Sequence, residues 1–295
     1  MSRRRDVCGV LVTYRRPQIL EQTLDAIDRQ SASLEHIIVV DNDPAQSARE
    51  LIGRRSNRYS YLATGANLGP AGGLRAGVDK IGKDWAWVMF LDDDDPPTGQ
   101  HVFENSRRFL LEAAIQDPKC GGVGTTGALF DRRWGRSRRP DMQSESRYLK
   151  VDWIGGGQFP IYNVEALREV GAPDPSTFWG YDDLDLGLRL NRANYNLYRD
   201  RDFVPELPTG PRVKARDARP EPWRLYYTSR NLVSLMRRES SLVWAVIAGT
   251  RAVLAAFGRS RGQHWAAAHA SLRGVVAAVC GESGWSPRAG GPSAR

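Results

Sequence analysis

Four short, almost uninterrupted apolar runs divide the N-terminal third of the chain, and segments with helical spacing of apolar residues lie between them. A run without polar alternation is typical of a strand that is buried on both faces of a sheet. The runs are residues 7–13, 36–40, 59–62 and 85–91. Strands that alternate with helices predict a mostly parallel sheet with helices on both faces. The sequence therefore predicts an α/β fold.

A polar cluster follows each of these runs, where the strand would end. The clusters comprise residues 13–16, 41–43, 67–73 and 92–95. Ligands of open parallel sheets bind beyond the carboxyl ends of the strands, because those ends meet at one edge. We therefore expect the four clusters to form a single site.

The remainder of the chain has a more helical pattern, with one further strand expected at 121–130. The expected helices cover 102–115, 164–170, 182–193 and 223–238, and one or two Ala-rich helices cover 242–279. We expect a main domain over 1–238 and a helical extension over 239–280. Residues 281–295 are rich in Gly, Pro, Ser and Arg, which predicts a disordered tail.

The composition is that of a globular protein with a basic surface. Of the 295 residues, 41% are hydrophobic and 26% are charged, which excludes a fibrous or wholly disordered chain. Lys and Arg number 42 against 34 Asp and Glu, a formal net charge of +8. A basic surface favours anionic partners, such as phosphate-bearing substrates or an anionic membrane face. The basic residues match no recognition motif for nucleic acid, so we expect no nucleic-acid partner.

No feature of the sequence predicts export or a membrane span. The three cysteines, Cys8, Cys120 and Cys280, form no CxxC pair, which favours a reducing compartment. The most apolar stretch, 242–257, is interrupted by Arg251 and is shorter than the roughly 20 residues that a transmembrane helix needs. We expect a cytoplasmic protein, with a helix lying on the inner membrane face as an open alternative.

Four consecutive aspartates, Asp92 to Asp95, follow the fourth apolar run. Adjacent carboxylates repel each other, so such a cluster either faces water or holds a cation. Asp92 and Asp94 point to the same side of an extended chain. Mg²⁺ and Mn²⁺ take carboxylate ligands together with substrate phosphates, so the pair is a candidate metal site. A solvated acidic turn is the alternative.

A second acidic cluster begins the helix expected at 182–193, directly after three aromatic residues. The helix dipole stabilises carboxylates in a first turn, which accounts for Asp185 together with a pair to Arg189. An aromatic wall suits a sugar, and a carboxylate beside it is a candidate general base. We therefore expect Asp182 or Asp183 to be catalytic. The aromatic residues are Phe178, Trp179 and Tyr181.

Other motifs limit the class of reaction. The Gly-rich turn at 67–73 departs from the GxGxxG spacing of dinucleotide-binding proteins, and the sequence contains no Walker-type loop and no HExxH. Tyr226 and Arg230 are four residues apart and share a helix face, where both side chains can bind phosphate. An amphipathic core helix with a charged edge is the alternative for this segment.

Six segments in this order resemble the inverting family-2 glycosyltransferases of GT-A fold, in particular the bacterial rhamnosyl- and galactofuranosyltransferases. The segments are 10–17, 37–42, 67–69 with 71–73, 90–94, 170–171 with 178–189, and 226–231. The similarity covers roughly residues 7–238. It implies a Rossmann-like GT-A domain followed by C-terminal helices.

The resemblance implies a role for each cluster. Asp92 and Asp94 would bind Mn²⁺ or Mg²⁺ on the donor diphosphate, and Asp183, with Asp182 beside it, would supply the catalytic base. The residues implied to bind the nucleotide-sugar donor are Thr13, Tyr14, Arg16, Asp41, Asn67, Gly69, Gly73, Asp93 and Arg230. The residues implied to form the acceptor site are Trp153, Gly156, Gly157, Trp179 and Tyr181.

One departure concerns the metal. Members of the family often carry a histidine after the catalytic helix as a further metal ligand, and residues 203–210 contain none. Glu206 could take its place, or water could complete the coordination.

The implied function is the metal-dependent, inverting transfer of a sugar of the rhamnose or galactofuranose class from a dTDP or UDP donor. The acceptor would be a hydroxyl of a glycan, a glycolipid or a lipid-linked intermediate in cell-wall polysaccharide synthesis. A transferase for a small soluble metabolite and a non-catalytic nucleotide-sugar binding protein are the alternatives. The Arg- and Trp-containing C-terminus suits a lipid-diphosphate acceptor at the membrane, or else packs on the main domain or a second subunit.

Overall fold

The computed structural model describes residues 5–155, 159–203, 221–259 and 263–291. The strands are β1 (Arg5–Thr13), β2 (Ile37–Asp41), β3 (Tyr59–Ala63), β4 (Trp85–Asp92), β5 (Cys120–Gly124), β6 (Gly127–Asp131), β7 (Arg136–Arg138), β8 (Tyr148–Val151), β9 (Trp153–Ile154), β10 (Ile161–Asn163) and β11 (Asn196–Asp200). The helices are α1 (Pro17–Asp28), α2 (Arg49–Gly53), α3 (Gly69–Asp79), α4 (Val102–Gln116), α5 (Val164–Val170), α6 (Asp182–Arg192), α7 (Pro222–Glu239), α8 (Leu242–Arg259) and α9 (His264–Val279).

An eight-stranded sheet in the order β3-β2-β1-β4-β10-β5-β11-β8 forms the centre of the fold. The first four strands of this order are parallel, as are β5 and β11, while β10 and β8 run antiparallel to their neighbours. The expectation of an α/β fold with a mostly parallel sheet is confirmed. In the parallel half the carboxyl ends of β1, β2 and β4 meet at one edge.

Helices cover both faces of the sheet, because the strands are apolar on both sides. On one face α1 and α4 pack against Leu11, Val39 and Met89. On the other face Val10, Val40 and Phe90 lie in a cluster with residues of α3, α5 and α6. The side chains on the two faces alternate along each strand, as a pleated strand requires.

Glycines let α3 lie close to the sheet. A Cβ atom on Gly77 would collide with Val10, and one on Gly73 would lie 3.0 Å from the Asn42 amide nitrogen. The Gly-rich start of α3 therefore serves helix packing and brings the helix N-terminus to the carboxyl edge of the strands.

The segment expected as one strand at 121–130 forms two strands in different sheets. β5 joins the large sheet, whereas β6 pairs with β7 and β9 in a small antiparallel sheet. The break lies at Thr125 and Thr126, where the chain turns out of the large sheet. The prediction was wrong here because an apolar run does not show where a strand changes sheets.

The helices α7, α8 and α9 pack against one another and against α6. Leu184 and Leu188 of α6 share a core cluster with Leu232, Ala245 and Ala278. The boundary expected between residues 238 and 239 falls within this three-helix unit. Among the residues described, no helix is both long enough and apolar enough to cross a bilayer.

The prediction of a disordered C-terminal tail is wrong for residues 281–291. A short 3-10 helix, Pro287–Ala289, lies against α7, and the Ser286 backbone N–H donates to the Tyr227 hydroxyl at 2.9 Å. The Gly284 carbonyl accepts a hydrogen bond from Arg230 at 2.6 Å. A Gly- and Pro-rich segment can be held by such backbone contacts, which leave no apolar pattern in the sequence.

Candidate active site

A cavity of about 440 Å³ opens at the carboxyl edge of β1, β2 and β4. It brings together residues from all four polar clusters that were expected to meet, and Trp223 and Arg224 of α7 close its far side. The expected site residues that line it are Thr13, Tyr14, Arg16, Asn67, Gly69, Asp92, Asp93, Asp94 and Trp179.

Asp93 is buried beneath this cavity and is held by β1 and the turn after it. Thr13 Oγ1 donates to its carboxylate at 2.7 Å, and the Arg16 guanidinium donates to it at 2.6 Å and to Asp94 at 2.5 Å. Burial raises the pKa of the Asp93 carboxyl, and the charge of Arg16 opposes this shift. The ion pair fixes the acidic turn against β1 and leaves a positive group at the rim of the cavity.

The surroundings of Asp92 disfavour its ionised form. Burial at the cavity floor and repulsion from Asp94, Asp95 and Asp93 raise the pKa of Asp92 to about 7, although part of its side chain stays accessible. A divalent cation would relieve this repulsion, and two carboxylates plus substrate phosphates make a chemically suitable ligand set. Within the described ranges, no group of three or more His, Cys, Asp or Glu side chains is arranged to hold a metal ion.

A tight turn at the start of α3 forms another wall of the cavity. Gly69 has a φ of +70°, and a Cβ atom there would collide with the Phe178 carbonyl oxygen. Its N–H donates to Asn67 Oδ1 at 3.0 Å, and its carbonyl accepts from Asn42 Nδ2 at 2.9 Å. The Oδ1 atom of Asn42 is buried and has no hydrogen-bond partner in the described structure. An acceptor therefore lies beside the cavity, where a ligand donor could satisfy it.

An aromatic wall faces these polar groups. The Trp179 and Trp223 rings pack edge to face with centroids 5.4 Å apart, and the Arg224 guanidinium lies 5.3 Å from the Trp179 ring centre. Phe178 completes the wall and packs on Tyr227. Such a surface offers a flat apolar contact for a base or a sugar ring, with a cation beside it.

A second cavity of about 430 Å³ adjoins the first, and Asp92, Pro70 and Trp179 line both. It contains the two expected catalytic carboxylates, Asp182 and Asp183, at the start of α6. Hence the expected metal ligand Asp92 lines both cavities, and the expected base lies in the second of them.

The chain holds Asp183 in place by a close backbone approach. A Cβ atom on Gly155, whose φ is +145°, would collide with the Asp183 carboxylate. Tyr181 has a φ of +65°, and this left-handed residue turns the chain into α6. Burial, and next repulsion from Asp185, raise the pKa of the Asp182 carboxyl. Asp185 itself accepts from Arg189 at 2.8 Å, as the i,i+4 spacing predicts, and also from Arg238, which makes it a structural residue.

Three residues expected to bind the donor do not line the cavity. The Asp41 carboxylate is buried and accepts from the backbone of Asp43 and Ala48, each at 2.9 Å, and from the Tyr61 hydroxyl at 3.0 Å. Gly73 is buried in the packing between α3 and the sheet. We correct both assignments. The strand-end position of Asp41 did not reveal that its carboxylate turns inward, and Gly73 lies within α3, where it serves helix packing.

Arg230 is the third, and its assignment is corrected for a different reason. The side chain is 1% exposed. Its guanidinium donates to the carbonyls of Ser176, Thr177 and Gly284 at 2.6–3.0 Å and lies over the Tyr227 ring. Arg230 therefore joins α7 to the loop before α6 instead of facing a phosphate.

The expected acceptor residues are only partly brought together. Trp179 lines both cavities, whereas Tyr181 lies beside a separate groove against α7 and α8. Trp153 donates to Ser137 Oγ at 3.2 Å and packs near α6. Gly156 and Gly157, together with Glu206, lie outside the described residues.

Sequence reasoning missed Asn42, Trp223 and Arg224 as lining residues. Asn42 directly follows β2, in a cluster that was noticed, so its position was the available signal. Trp223 and Arg224 begin a helix far along the chain, and the sequence holds no local signal that this helix closes the cavity.

The profile of the glycosyl transferase family 2 matches residues 9–171, more than half of the chain. The chain belongs to this family. The match covers β1 to α5 and so includes Asp92 to Asp94. It ends before α6, so Asp182 and Asp183 lie beyond it.

Curated relatives of this family-2 chain include bacterial galactofuranosyl- and rhamnosyltransferases. The galactofuranosyltransferase GlfT1 of Mycolicibacterium smegmatis is 31% identical over 200 residues, 63% of this chain and 66% of that protein. The N-acetylglucosaminyl-diphospho-decaprenol L-rhamnosyltransferase of Mycobacterium tuberculosis is 23% identical over 225 residues, 63% of this chain and 70% of that protein. The matched region spans slightly less than two thirds of the GlfT1 sequence.

Solved structures share the fold of this chain. A mannosyltransferase of Pyrobaculum calidifontis, in complex with GDP-Man and Mn²⁺, superposes with a TM-score of 0.54 at 16% identity, covering 92% of this chain and 86% of that one. TarS of S. aureus, in complex with UDP-GlcNAc, superposes with a TM-score of 0.53 at 14% identity, covering 87% of this chain and 74% of that one. These similarities confirm the GT-A fold.

Proposed function

We propose that the chain is an inverting glycosyltransferase that uses a dTDP- or UDP-linked sugar of the rhamnose or galactofuranose class. The acceptor is a hydroxyl of a glycan or of a lipid-linked intermediate. The observation that carries the proposal is the adjacency of the two cavities: Asp92 lines both, and Asp183 lines the second. The names of the curated relatives support the choice of sugar class.

The donor would occupy the cavity beside β1, β2 and β4. The base and ribose would lie between Asn42 and the wall of Trp179 and Trp223, and Arg16 and Arg224 would face the diphosphate. Asp92 and Asp94 would hold Mn²⁺ or Mg²⁺ there, and such a cation offsets the charge that develops on the leaving group.

The transfer step would be a single in-line displacement. The Asp183 carboxylate accepts the proton of the acceptor hydroxyl, whose oxygen attacks the anomeric carbon from the side opposite the diphosphate. The C–O bond to the diphosphate breaks as the new bond forms, so the anomeric configuration inverts. Gly155 keeps the Asp183 carboxylate in one orientation, which reduces the cost of positioning it.

A nucleotide panel tests the donor site. We expect UDP or dTDP, but not GDP or ADP, to raise the melting temperature with Mn²⁺, because a ligand at 100 times its Kd stabilises by about 2.7 kcal/mol. The Asp92→Asn variant should lose the difference between Mn²⁺ and EDTA. Glu35→Gln, an exposed residue at the opposite end of β2, is the control. If none of the nucleotides raised the melting temperature, the proposed function would be contradicted.

The outward surface of α8 and α9 supports the proposal that the protein contacts a membrane, from its cytoplasmic side. We define the hairpin face as the exposed residues Val243, Val246, Leu254, Phe257, Trp265, Leu272, Val276 and Val279. The chain has no Asp or Glu between residues 240 and 281, while it has four arginines there. The same segment of a second copy carries the same charge and no carboxylate, whereas anionic lipid attracts a basic residue near its surface by about 1 kcal/mol.

Vesicle sedimentation tests this contact. We expect the protein to pellet with vesicles of phosphatidylglycerol and phosphatidylcholine more than with phosphatidylcholine alone. The double variant Leu254→Ser/Trp265→Ser should bind at least about 100-fold more weakly, since each exposed apolar side chain contributes roughly 1.5–3 kcal/mol when it inserts and about 1.4 kcal/mol is a factor of ten. Ile115→Ser on α4, which is 83% exposed, is the matched control. Unchanged pelleting would contradict the contact, and loss of a dimer instead would assign the face to a second copy.

A further inference from the structure

A groove of about 460 Å³ runs along the seam between α7 and α8, outside the two cavities of the active site. Its lining is mainly apolar. The side chains along the seam are Leu225, Leu232, Ala248, Ala252, Ala255 and Ala256. Leu225 and Leu232 are seven residues apart, which gives the seam a length of about 10 Å at 1.5 Å per residue. The small alanine side chains leave the space between the helices open.

One side of the groove adjoins the catalytic carboxylates. Tyr181 lines the groove and directly precedes Asp182. Gly180, the preceding residue, lines the cavity of Asp183, and a Cβ atom on it would lie 3.3 Å from Cγ2 of Thr228, which lines the groove. The groove and the cavity of the base are therefore separated only by the segment 180–181.

The charge at the groove is positive. Arg136 of β7 and Arg251 of α8 line it, and no carboxylate does so among the described residues. Arg251 donates to the Trp134 carbonyl at 2.6 Å, and its guanidinium lies 5.8 Å from the Trp134 ring centre. These contacts hold the guanidinium at the rim, where it can meet an anionic group.

The groove also adjoins the hairpin face defined above. Ala256 lies in the groove and is followed by Phe257, whose ring packs on Trp265 with centroids 5.2 Å apart. The exposed apolar surface therefore begins at the residue next to the groove along α8.

We propose that this groove binds the isoprenoid or acyl chain of a phosphate-bearing acceptor lipid. The phosphate lies beside Arg136 and Arg251, and the head group reaches past Tyr181 to the base Asp183. The apolar lining matches the chain, and the arginines match the phosphate. This inference rests on the proposed function, because it identifies the acceptor of that reaction as an amphiphile.

Calorimetry of farnesyl phosphate binding tests the proposed lipid site. The affinity is measured with UDP and Mn²⁺ at saturation. We expect the Ala255→Phe variant to weaken farnesyl phosphate binding by about ten-fold or more, because the ring fills the seam. Ala266→Phe, the same change at an exposed position of α9, should leave the affinity unchanged. UDP should bind both variants like the wild type.

Arg251→Gln provides a second variant that does not depend on filling the helix seam. It should weaken the binding of farnesyl phosphate by about three- to ten-fold and leave the affinity for farnesol, which has no phosphate, unchanged. Three results would each contradict the proposed lipid site. They are equal affinity of the wild type and Ala255→Phe for farnesyl phosphate, equal weakening by Ala266→Phe, and competition between farnesyl phosphate and UDP. If farnesyl phosphate bound with the expected pattern but UDP did not bind at all, the lipid site would be supported and the proposed function contradicted.

Discussion

An Asp183→Asn variant should lose a factor of about 10² to 10⁴ in kcat while it binds UDP or dTDP with the affinity of the wild type. The amide is nearly isosteric with the carboxylate, so the close contact with Gly155 can persist. It cannot accept the proton of the acceptor hydroxyl, and the loss therefore falls on the chemical step. The measurement is steady-state transfer together with nucleotide binding by calorimetry.

Asp182→Asn is the matched control, since it changes the neighbouring carboxyl in the same turn of α6. We expect a smaller loss of kcat, because it is the Asp183 carboxylate that the close approach of Gly155 positions. If Asp183→Asn weakened nucleotide binding as much as turnover, Asp183 would be structural. If Asp182→Asn lost the larger factor, the base would have to be reassigned.

The parallel half of the fold could be predicted because each strand carries its own signal. β1, β2 and β4 are apolar on both faces, and each is followed by polar residues at the carboxyl edge. Burial between two helical layers demands such runs, and no distant contact is needed to interpret them. The same logic brought Thr13, Asn67 and Asp92 to one cavity before their geometry was known.

The rest of the site depends on contacts between distant segments, which leave no local pattern. Trp223 and Arg224 join the donor cavity only because α7 packs across the chain onto the loop that holds Phe178. Asp41 shows the reverse case, since a strand-end aspartate turned inward to bind the backbone of the following loop. Whether such a residue faces ligand or protein is decided by its hydrogen-bond partners.

Arg230→Leu should lower the free energy of unfolding by roughly 2–4 kcal/mol, because each buried polar group left without its partner costs roughly 1–3 kcal/mol. The carbonyls of Ser176, Thr177 and Gly284 would all lose the guanidinium as a donor. Ser176 would keep the Gly284 N–H and Thr177 the Asn231 amide as donors, so the largest cost falls on the Gly284 carbonyl. Arg237→Leu, an exposed change on the same helix that removes a single bond to the Ala278 carbonyl at 3.2 Å, should cost less. Urea unfolding of the two variants measures the difference.

The same variant decides between two explanations of one sequence motif. If Arg230 holds α7 to the loop before α6, the folded fraction of Arg230→Leu should bind UDP with Mn²⁺ at the wild-type Kd. If Arg230 instead contacted the diphosphate, the variant would keep its stability and lose affinity. The buried position of the guanidinium, already bonded to three carbonyls, favours the first result, because a phosphate contact would require those bonds to break first. A stable variant with weakened nucleotide binding would therefore show that α7 moves when the donor binds.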